Sequence, residues 1–330
     1  MDFRTKVEIK WNGDKISHNH SLLFLGSCFA QEIGDIFFAN KFNSLVNPFG
    51  VLYNPLSISK SLERSLDCAP YTINNLFKEG NLYHSFDHHS VFSDTDATRM
   101  LNNINDKLML TSKKIRSSHF IFLTFGTSWI YELKDNSEVV SNCHKLPATT
   151  FTRRRAGVEE LTERMTRTIS KILEINSGVK FVLTVSPIRH LKDGAHGNNL
   201  SKSVLLLMCD ELANRFPNNV IYFPSYEILL DELRDYRFYA DDMTHPSKNA
   251  VEYIWEQIKE EVISLESRNT IKEWGKIRQG IQHRRMSADV ESYKLFLENL
   301  LKSAESFADK HKNIDITNEI AEIKNLYINI

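Results

Sequence analysis

Four short apolar runs, separated by segments with helical periodicity, constrain the fold more than any other feature of this sequence. They span residues 22–25, 120–125, 179–185 and 220–223, are rich in Val, Ile, Leu and Phe, and are each followed by Gly, Ser or Pro. Uninterrupted apolar runs of this length are typical of strands that are buried on both faces of a sheet. A fifth, shorter strand is expected at residues 44–46.

The segments between these runs carry apolar residues at helical spacing. The repeats are Phe29, Ile33, Ile36 and Phe37, then Leu161, Met165, Ile169 and Ile172, and later Val251, Ile254, Trp255 and Ile258. Residues spaced in this way share one face of a helix, and such a face can cover a sheet. Alternating strands and helices predict an α/β fold with a parallel sheet covered by helices.

The pattern also predicts a division of the chain. Residues 1–266 are expected to form the α/β domain, with 55–117 as a polar, partly helical insertion. After about residue 266 the alternation stops, and 267–330 are expected to form a helical extension. Its amphipathic pattern consists of Tyr293, Phe296, Leu297, Leu300, Leu301, Ala304 and Phe307. Packing on the α/β domain is the favoured interpretation, and contact with a second copy in a homo-oligomer is the alternative.

Charge and cysteine content exclude several classes of protein. The 330 residues include 41 Lys and Arg against 42 Asp and Glu, so no charge excess favours nucleic acid. The four cysteines form no CxxC pair, which argues against a zinc site and a disulfide framework. The first twenty residues lack the apolar core of a signal peptide, and no apolar run is long enough to cross a membrane. We therefore expect a cytoplasmic protein with free thiols and no membrane partner.

Common cofactor motifs are absent from the sequence. It contains no GxGxxG at the first helix, no GxxxxGK[ST], no HExxH and no GxSxG. The adjacent His88 and His89 project in different directions and do not make a ligand pair at helical spacing. We predict neither a metal nor a cofactor.

The first run ends in a short polar sequence that opens the next helix. Gly26, Ser27 and Cys28 lie between the strand expected at 22–25 and the helical pattern that begins at Phe29. In open α/β sheets, ligands bind at this edge, outside the carboxyl ends of the strands. The free N–H groups and partial positive charge of a helix N-terminus favour a thiolate and stabilise an oxyanion. Cys28 is therefore a candidate nucleophile; an N-capping Ser27 beside a buried Cys28 is the purely structural alternative.

A second candidate lies at the end of the α/β pattern. Asp242 precedes His245 by three residues, and Pro246 follows at the expected start of the last core helix. A short loop of this kind can place the carboxylate against one imidazole nitrogen and leave the other free, as in a catalytic triad. Taken alone, helix capping or a surface salt bridge also explains such a pair.

Together these segments resemble the GSCFA family, a branch of the SGNH (GDSL-like) hydrolase superfamily. Gly26-Ser27-Cys28-Phe29-Ala30 is the string that names the family. Further family-like blocks follow in the same order across residues 20–260: Asn47-Pro48-Phe49-Gly50, Tyr53-Asn54-Pro55, Thr124-Phe125-Gly126-Thr127-Ser128-Trp129, Asn142-Cys143-His144-Lys145, Ser186-Pro187-Ile188-Arg189-His190, and Asp242 with His245 and Pro246. No such block covers the chain beyond residue 266.

The resemblance implies a three-layer α/β/α sandwich with a parallel, flavodoxin-like sheet, and it assigns roles to the two candidate segments. The Gly-Asp-Ser block of the superfamily ends in the nucleophile, and this position falls on Cys28. A shift of one residue would make Ser27 the nucleophile instead. The Asp-x-x-His block falls on Asp242 and His245, the residues that would orient and supply the general base.

The resemblance also suggests an oxyanion hole and substrate contacts. The hole would consist of the N–H groups of Cys28 and Gly50 and the side chain of Ser128. The superfamily usually has Asn at this last position, and losing one donor can cost roughly 3 kcal/mol of transition-state stabilisation. Three further side chains in the family-like blocks are candidates for substrate binding: His144, Arg189 and His190.

The function implied by the resemblance is hydrolysis or O-acyl transfer of a small acyl ester. In the superfamily the acyl group is often an acetyl group on a carbohydrate. Cys28 would attack the ester carbonyl after His245 removes its proton. The alternative is a non-catalytic carbohydrate- or acyl-binding module on a degenerate hydrolase scaffold, because Ser128 replaces the amide donor and no Asp follows Gly26. An assembly role for the helical tail is a third, weaker interpretation.

Overall fold

Five strands form one parallel sheet at the centre of the protein, as the apolar runs predict. The computed structural model describes residues 5–283 and 290–328. Its strands are β1 (Ser21–Gly26), β2 (Asn43–Val46), β3 (Phe77–Glu79), β4 (Leu82–His84), β5 (Phe120–Phe125), β6 (Trp129–Leu133), β7 (Val139–Val140), β8 (Phe151–Arg155), β9 (Lys180–Val185) and β10 (Val220–Tyr222). The central sheet has the order β2-β1-β5-β9-β10, which is the flavodoxin-like arrangement, and each of its strand pairs is parallel.

Helices cover both faces of this sheet. They are α1 (Cys28–Ala39), α2 (Pro55–Leu66), α3 (Ala97–Ser117), α4 (Val158–Ile175), α5 (Gly194–Arg215), α6 (Ser225–Glu227), α7 (Lys248–Glu261), α8 (Leu265–Ile281), α9 (Val290–Lys310) and α10 (Thr317–Ile328). The two faces of the sheet have separate hydrophobic cores, and alternate residues of β1 belong to different ones. Leu23 packs with α2, α3, α4 and α5, whereas Leu22 packs with α1 and α7. The sheet is therefore the middle layer of a three-layer α/β/α fold.

The stretch 55–117, which the sequence analysis interprets as a partly helical insertion, contributes to one of these layers. Ile58 and Leu62 of α2 and Ile104 and Leu108 of α3 have no exposed surface and belong to the main core. The polar face of each helix masks this role in the sequence, because only about one residue in three or four points inward. The β3–β4 hairpin lies between these two helices in the chain.

A second, antiparallel sheet was not predicted. Its strand order is β7-β6-β8, and Trp129 at the start of β6 pairs with Arg155 at the end of β8. Most residues of β6 and β8 are only partly buried. They consequently lack the continuous apolar run by which the central strands are recognised.

The C-terminal helices pack together. Leu297, Leu300 and Phe307 of α9 form a core with α8 and α10, in which Trp274 of α8 takes part. The indole N–H of Trp274 donates to the carbonyl oxygen of Ala39 at 2.8 Å. The helical extension is thus attached to the end of α1.

The turn between β1 and α1 requires glycine. Gly26 has a φ of +143°, and a Cβ at this position would lie 2.1 Å from the carbonyl oxygen of Thr124 on the neighbouring β5. A side chain cannot be accommodated against backbone at this distance. The close approach of β1 and β5 therefore fixes the point at which α1 begins.

A buried lysine joins the loops that follow β5 and β9. Lys202 of α5 is 1% exposed, and its Nζ donates to the carbonyl oxygens of Gly126 and Ser186, both at 2.7 Å. Burial lowers the pKa of Lys202 to about 7, and the neighbouring positive charge of Arg189 acts in the same direction. Lys202 therefore links the loop after β5 to the loop after β9.

We predict that Lys202 makes the stability of the protein depend on pH. Its pKa is about 7 in the folded chain against 10.5 for the reference lysine, so the unfolded chain binds more protons between these values. The free energy of unfolding should therefore rise with pH across this window. Urea unfolding at several pH values should show a shallower rise in Lys202→Met than in wild type. The exposed Lys113→Met serves as the control and should keep the wild-type slope; equal slopes in all three proteins would contradict the prediction.

Candidate active site

A cleft opens at the carboxyl ends of β1, β5 and β9, the edge at which parallel α/β sheets bind ligands. Its volume is about 510 Å³. It is lined by Ser27, Cys28, Val51, Tyr53, Asn54, His89, Thr127, Trp129, Tyr131, Val140, Ser141, Asn142, Cys143, Arg153, Ile188, Arg189, His190, Lys192, Asp193 and His245. The two candidate segments of the sequence thus meet in one cavity.

Cys28 is the first residue of α1 and is partly exposed to the cleft. Ser27 precedes it in an extended conformation, and its side chain makes no capping hydrogen bond. By contrast, Asn54 caps α2 and Ser247 caps α7 through their side chains. The first N–H groups of α1 are therefore not capped by the residue before the helix, and they lie beside the Cys28 sulfur.

Ser27, the alternative nucleophile, is less accessible than Cys28. It has no exposed surface, and its hydroxyl has no hydrogen-bonding partner in the described part of the chain. Its backbone is fixed by the N–H donating to Thr124 of β5 at 3.1 Å. Of the two residues, Cys28 is the one that a substrate in the cleft can reach.

Tyr53 is the direct neighbour of the thiol. Its hydroxyl oxygen lies 3.6 Å from the sulfur of Cys28. Burial, followed by the interaction with Cys28, raises the pKa of the Tyr53 phenol above its ordinary value. The phenol therefore stays protonated near neutral pH and can donate a hydrogen bond to the sulfur or to a bound oxygen.

Asp242 orients His245 as the spacing predicts. The imidazole Nδ1 lies 2.5 Å from one carboxylate oxygen of Asp242, and the other oxygen accepts the N–H groups of His245 and Thr244, both at 2.9 Å. These three hydrogen bonds hold the pKa of the Asp242 carboxyl below its usual value. An ionised Asp242 that accepts the Nδ1 proton leaves Nε2 as the free basic nitrogen.

The helix that follows this loop begins later than expected. Pro246 is not its first residue; Ser247 caps the helix, and α7 begins at Lys248. The loop is fixed instead by backbone contacts, among them the N–H of Arg189 donating to the carbonyl oxygen of Thr244 at 3.0 Å. This bond connects the loop after β9 to the loop that carries His245.

His245 and Cys28 line the same cleft, but the described residues form no hydrogen bond between these two side chains. Glu32, one helical turn after Cys28, links the two segments electrostatically. Burial raises the pKa of Glu32, and the nearby His245 ring lowers it in part. One oxygen of this carboxylate is buried without a partner among the described residues.

The structure does not support two members of the expected oxyanion hole. The N–H of Gly50 donates to the carbonyl oxygen of Asn47 at 2.8 Å and is therefore already used in a turn. Gly50 has a φ of +76°, and a Cβ there would lie 2.3 Å from the Cβ of His89. Glycine is therefore required at this position by the backbone conformation and by the close contact with His89. Ser128 is fully buried outside the cleft lining, and its hydroxyl donates to Ser201 at 3.1 Å.

Two of the three predicted substrate contacts line the cleft. His190 and Arg189 both do so, and burial lowers the pKa of His190 to about 4, so its ring is neutral near pH 7. The Nε2 of His190 and the Nε of Arg189 are buried without a partner in the described chain. His144 is not part of the lining: it is buried, and its Nε2 contacts the carbonyl oxygen of Ser85 at 2.7 Å.

The antiparallel sheet supplies a wall of the cleft that the sequence analysis missed. The guanidinium of Arg153 lies 4.2 Å from the ring centre of Trp129 and 5.4 Å from that of Tyr131. It also forms an ion pair with Asp193, with one nitrogen–oxygen distance of 2.5 Å. The alternation of Trp129 and Tyr131 around the buried Ile130 was the available signal for this strand.

Among residues 5–283 and 290–328, no three His, Cys, Asp or Glu side chains are grouped so that they could hold a metal ion. None of the described helices has both the length and the apolar character needed to span a bilayer.

Comparison with protein families agrees with the sequence resemblance. The model of the GSCFA family matches residues 21–258, which include every strand of the central sheet and both candidate segments. A second model, the GSCFA domain protein C-terminal domain, matches residues 274–328, where the sequence carried no recognised block. A search of curated proteins gave no match. Since the first match alone covers more than half of the chain, this protein belongs to the GSCFA family.

Proposed function

We propose that the protein is an acyl-ester hydrolase or O-acyltransferase whose nucleophile is Cys28. The observation that carries this proposal is the hydrogen bond of 2.5 Å between Asp242 and Nδ1 of His245, formed at the cleft that also exposes Cys28. A thiol, an oriented imidazole and a carboxylate are the parts of a nucleophilic triad. We also propose, on the sequence resemblance, that the fold is that of the SGNH superfamily.

In the proposed reaction, Nε2 of His245 accepts the proton of the Cys28 thiol. The thiolate attacks the carbonyl carbon of the ester, and the bond between this carbon and the alcohol oxygen breaks. His245 returns its proton to the leaving alkoxide, which departs as the alcohol. Water or a second hydroxyl, deprotonated by His245, then attacks the thioester and releases the acyl group. Because the described side chains form no direct hydrogen bond between Cys28 and His245, substrate binding would have to bring Nε2 of His245 to the sulfur.

The oxyanion hole we propose differs from the one inferred from the resemblance. The N–H of Cys28 remains a donor, since it belongs to the first turn of α1. The protonated hydroxyl of Tyr53, 3.6 Å from the sulfur, is the second. Gly50 and Ser128 are excluded because their groups already bind Asn47 and Ser201.

The second candidate function is binding without turnover. It is favoured by the position of the Cys28 sulfur, which contacts Tyr53 and not His245. In such a module, the cleft would recognise an acylated sugar, and Asp242 would serve only to hold the loop. Ligand binding with no ester turnover, unchanged by removal of the thiol, would support this alternative.

We predict that Cys28→Ala abolishes turnover of 4-nitrophenyl acetate, because the substitution removes the thiol that attacks the ester carbonyl in the proposed reaction. The loss should be at least about a thousandfold, as for other nucleophile deletions. Release of 4-nitrophenol measures the rate, and circular dichroism checks the fold. Cys68→Ala, which removes an exposed thiol outside the cleft, should retain wild-type turnover. Full activity in Cys28→Ala would end the assignment.

We further predict that Asp242→Asn lowers kcat by roughly 10²–10⁴-fold. The amide keeps the size of the side chain but removes the charge that orients and stabilises the imidazolium. Steady-state kinetics of the same ester would measure the effect. The matched control is Asp241→Asn, which removes the neighbouring exposed carboxylate and should leave kcat unchanged. Equal kinetics in the two variants would show that Asp242 has no part in turnover.

A further inference from the structure

The cleft carries more positive than negative charge. Arg153, Arg189 and Lys192 line it, together with a single carboxylate, Asp193. This carboxylate is already committed, since its two oxygens lie 2.5 and 2.6 Å from the guanidinium of Arg153. Within the described ranges, neither Arg189 nor Lys192 forms an ion pair. Two cationic side chains therefore face the cavity without a counterion from the protein.

The cleft also contains hydrogen-bond donors that lack acceptors. The Nε of Arg189, the Nε of Arg153 and the indole Nε1 of Trp129 are buried, and none has an acceptor among the residues that the structure describes. Each of these groups can only donate. A buried donor without an acceptor costs free energy, so a ligand whose oxygen acceptors reach these donors after a local shift of the side chains would be stabilised.

From these two observations we propose that the ligand of the cleft carries a carboxylate, which binds at Arg189 and Lys192. A planar guanidinium donates to both oxygens of a carboxylate, and the nearby ammonium adds a second charge. The proposal rests on the function proposed above and makes it more specific: the ester acted on by Cys28 is anionic. A neutral ester would leave both cations without a counterion.

The positions of the cysteines allow a test that does not depend on turnover. Cys28 and Cys143 line the cleft, whereas Cys68 is exposed outside it, and Cys209 is buried. Iodoacetate and iodoacetamide both alkylate a thiolate with loss of iodide, but only iodoacetate carries a carboxylate. The ratio of their rates at each cysteine, measured by peptide mass spectrometry, compares the local affinity for an anion. Cys68 provides the reference ratio within the same molecule.

We expect the iodoacetate-to-iodoacetamide ratio at Cys28 to exceed that at Cys68 by about tenfold at low ionic strength. Added salt should reduce the difference, because it screens the attraction. In the double variant Arg189→Gln, Lys192→Gln, the ratio at Cys28 should fall towards that at Cys68. Lys113→Gln removes an exposed charge on α3 and should have no effect. Equal ratios at Cys28 and Cys68, or a high ratio that the double variant keeps, would overturn the proposal.

This outcome is separable from that of the proposed function. If Cys28→Ala abolishes ester turnover while the two reagents show no difference, the enzyme assignment stands and the anionic substrate does not. If the reagents differ but turnover is absent in wild type, the carboxylate site stands as part of a binding module.

A protection experiment identifies which part of the ligand bears the carboxylate. D-glucuronate should slow the alkylation of Cys28 by iodoacetamide more than D-glucose does if the charge is on the sugar. Succinate should protect if the charge is on the acyl group. Protection by neither anion would contradict the proposal.

Discussion

The turn from β1 into α1 is the constraint on which the rest of the site depends. Gly26 lies so close to β5 that a Cβ would be 2.1 Å from the Thr124 carbonyl oxygen, and the chain must leave the sheet at this residue. Helix α1 begins two residues later, with Cys28 at its first position and no capping side chain before it. The sulfur and the free N–H groups of the first turn are therefore presented together at the open edge of the sheet.

The second half of the site is held by contacts that reach across the sheet edge. The backbone N–H of Arg189, after β9, donates to the carbonyl oxygen of Thr244, and Lys202 connects the loops after β5 and β9. The result is a rigid rim in which Asp242 can fix one nitrogen of His245. Arg189 and Lys192 line the same cleft, and they are the residues that we propose bind the carboxylate of the ligand.

Much of the fold could be predicted from the sequence because the central strands are buried on both faces. Their apolar runs, such as residues 120–125, are short and end at turn residues, which favours a strand over a buried helix, and the amphipathic face of α9 is equally clear. The strands β6 and β8 escaped prediction because they are half-buried and carry arginines and aromatic residues that serve the cleft. The helices of 55–117 were not recognised as part of a core layer because most of their surface is polar.

The candidate site was only partly predictable, for a related reason. The positions of the motifs predicted that Cys28 and His245 lie at one edge of the sheet, and both residues line the cleft there. The spacing could not predict that Gly50 and Ser128 donate hydrogen bonds to Asn47 and Ser201, since such partners are set by tertiary contacts.

Mass spectrometry of the protein quenched during reaction with 4-nitrophenyl acetate tests the central claim most directly. We expect an acetyl group on Cys28 that fails to form in His245→Ala; acetylation at Ser27, or at Cys28 with equal speed in His245→Ala, would contradict the account.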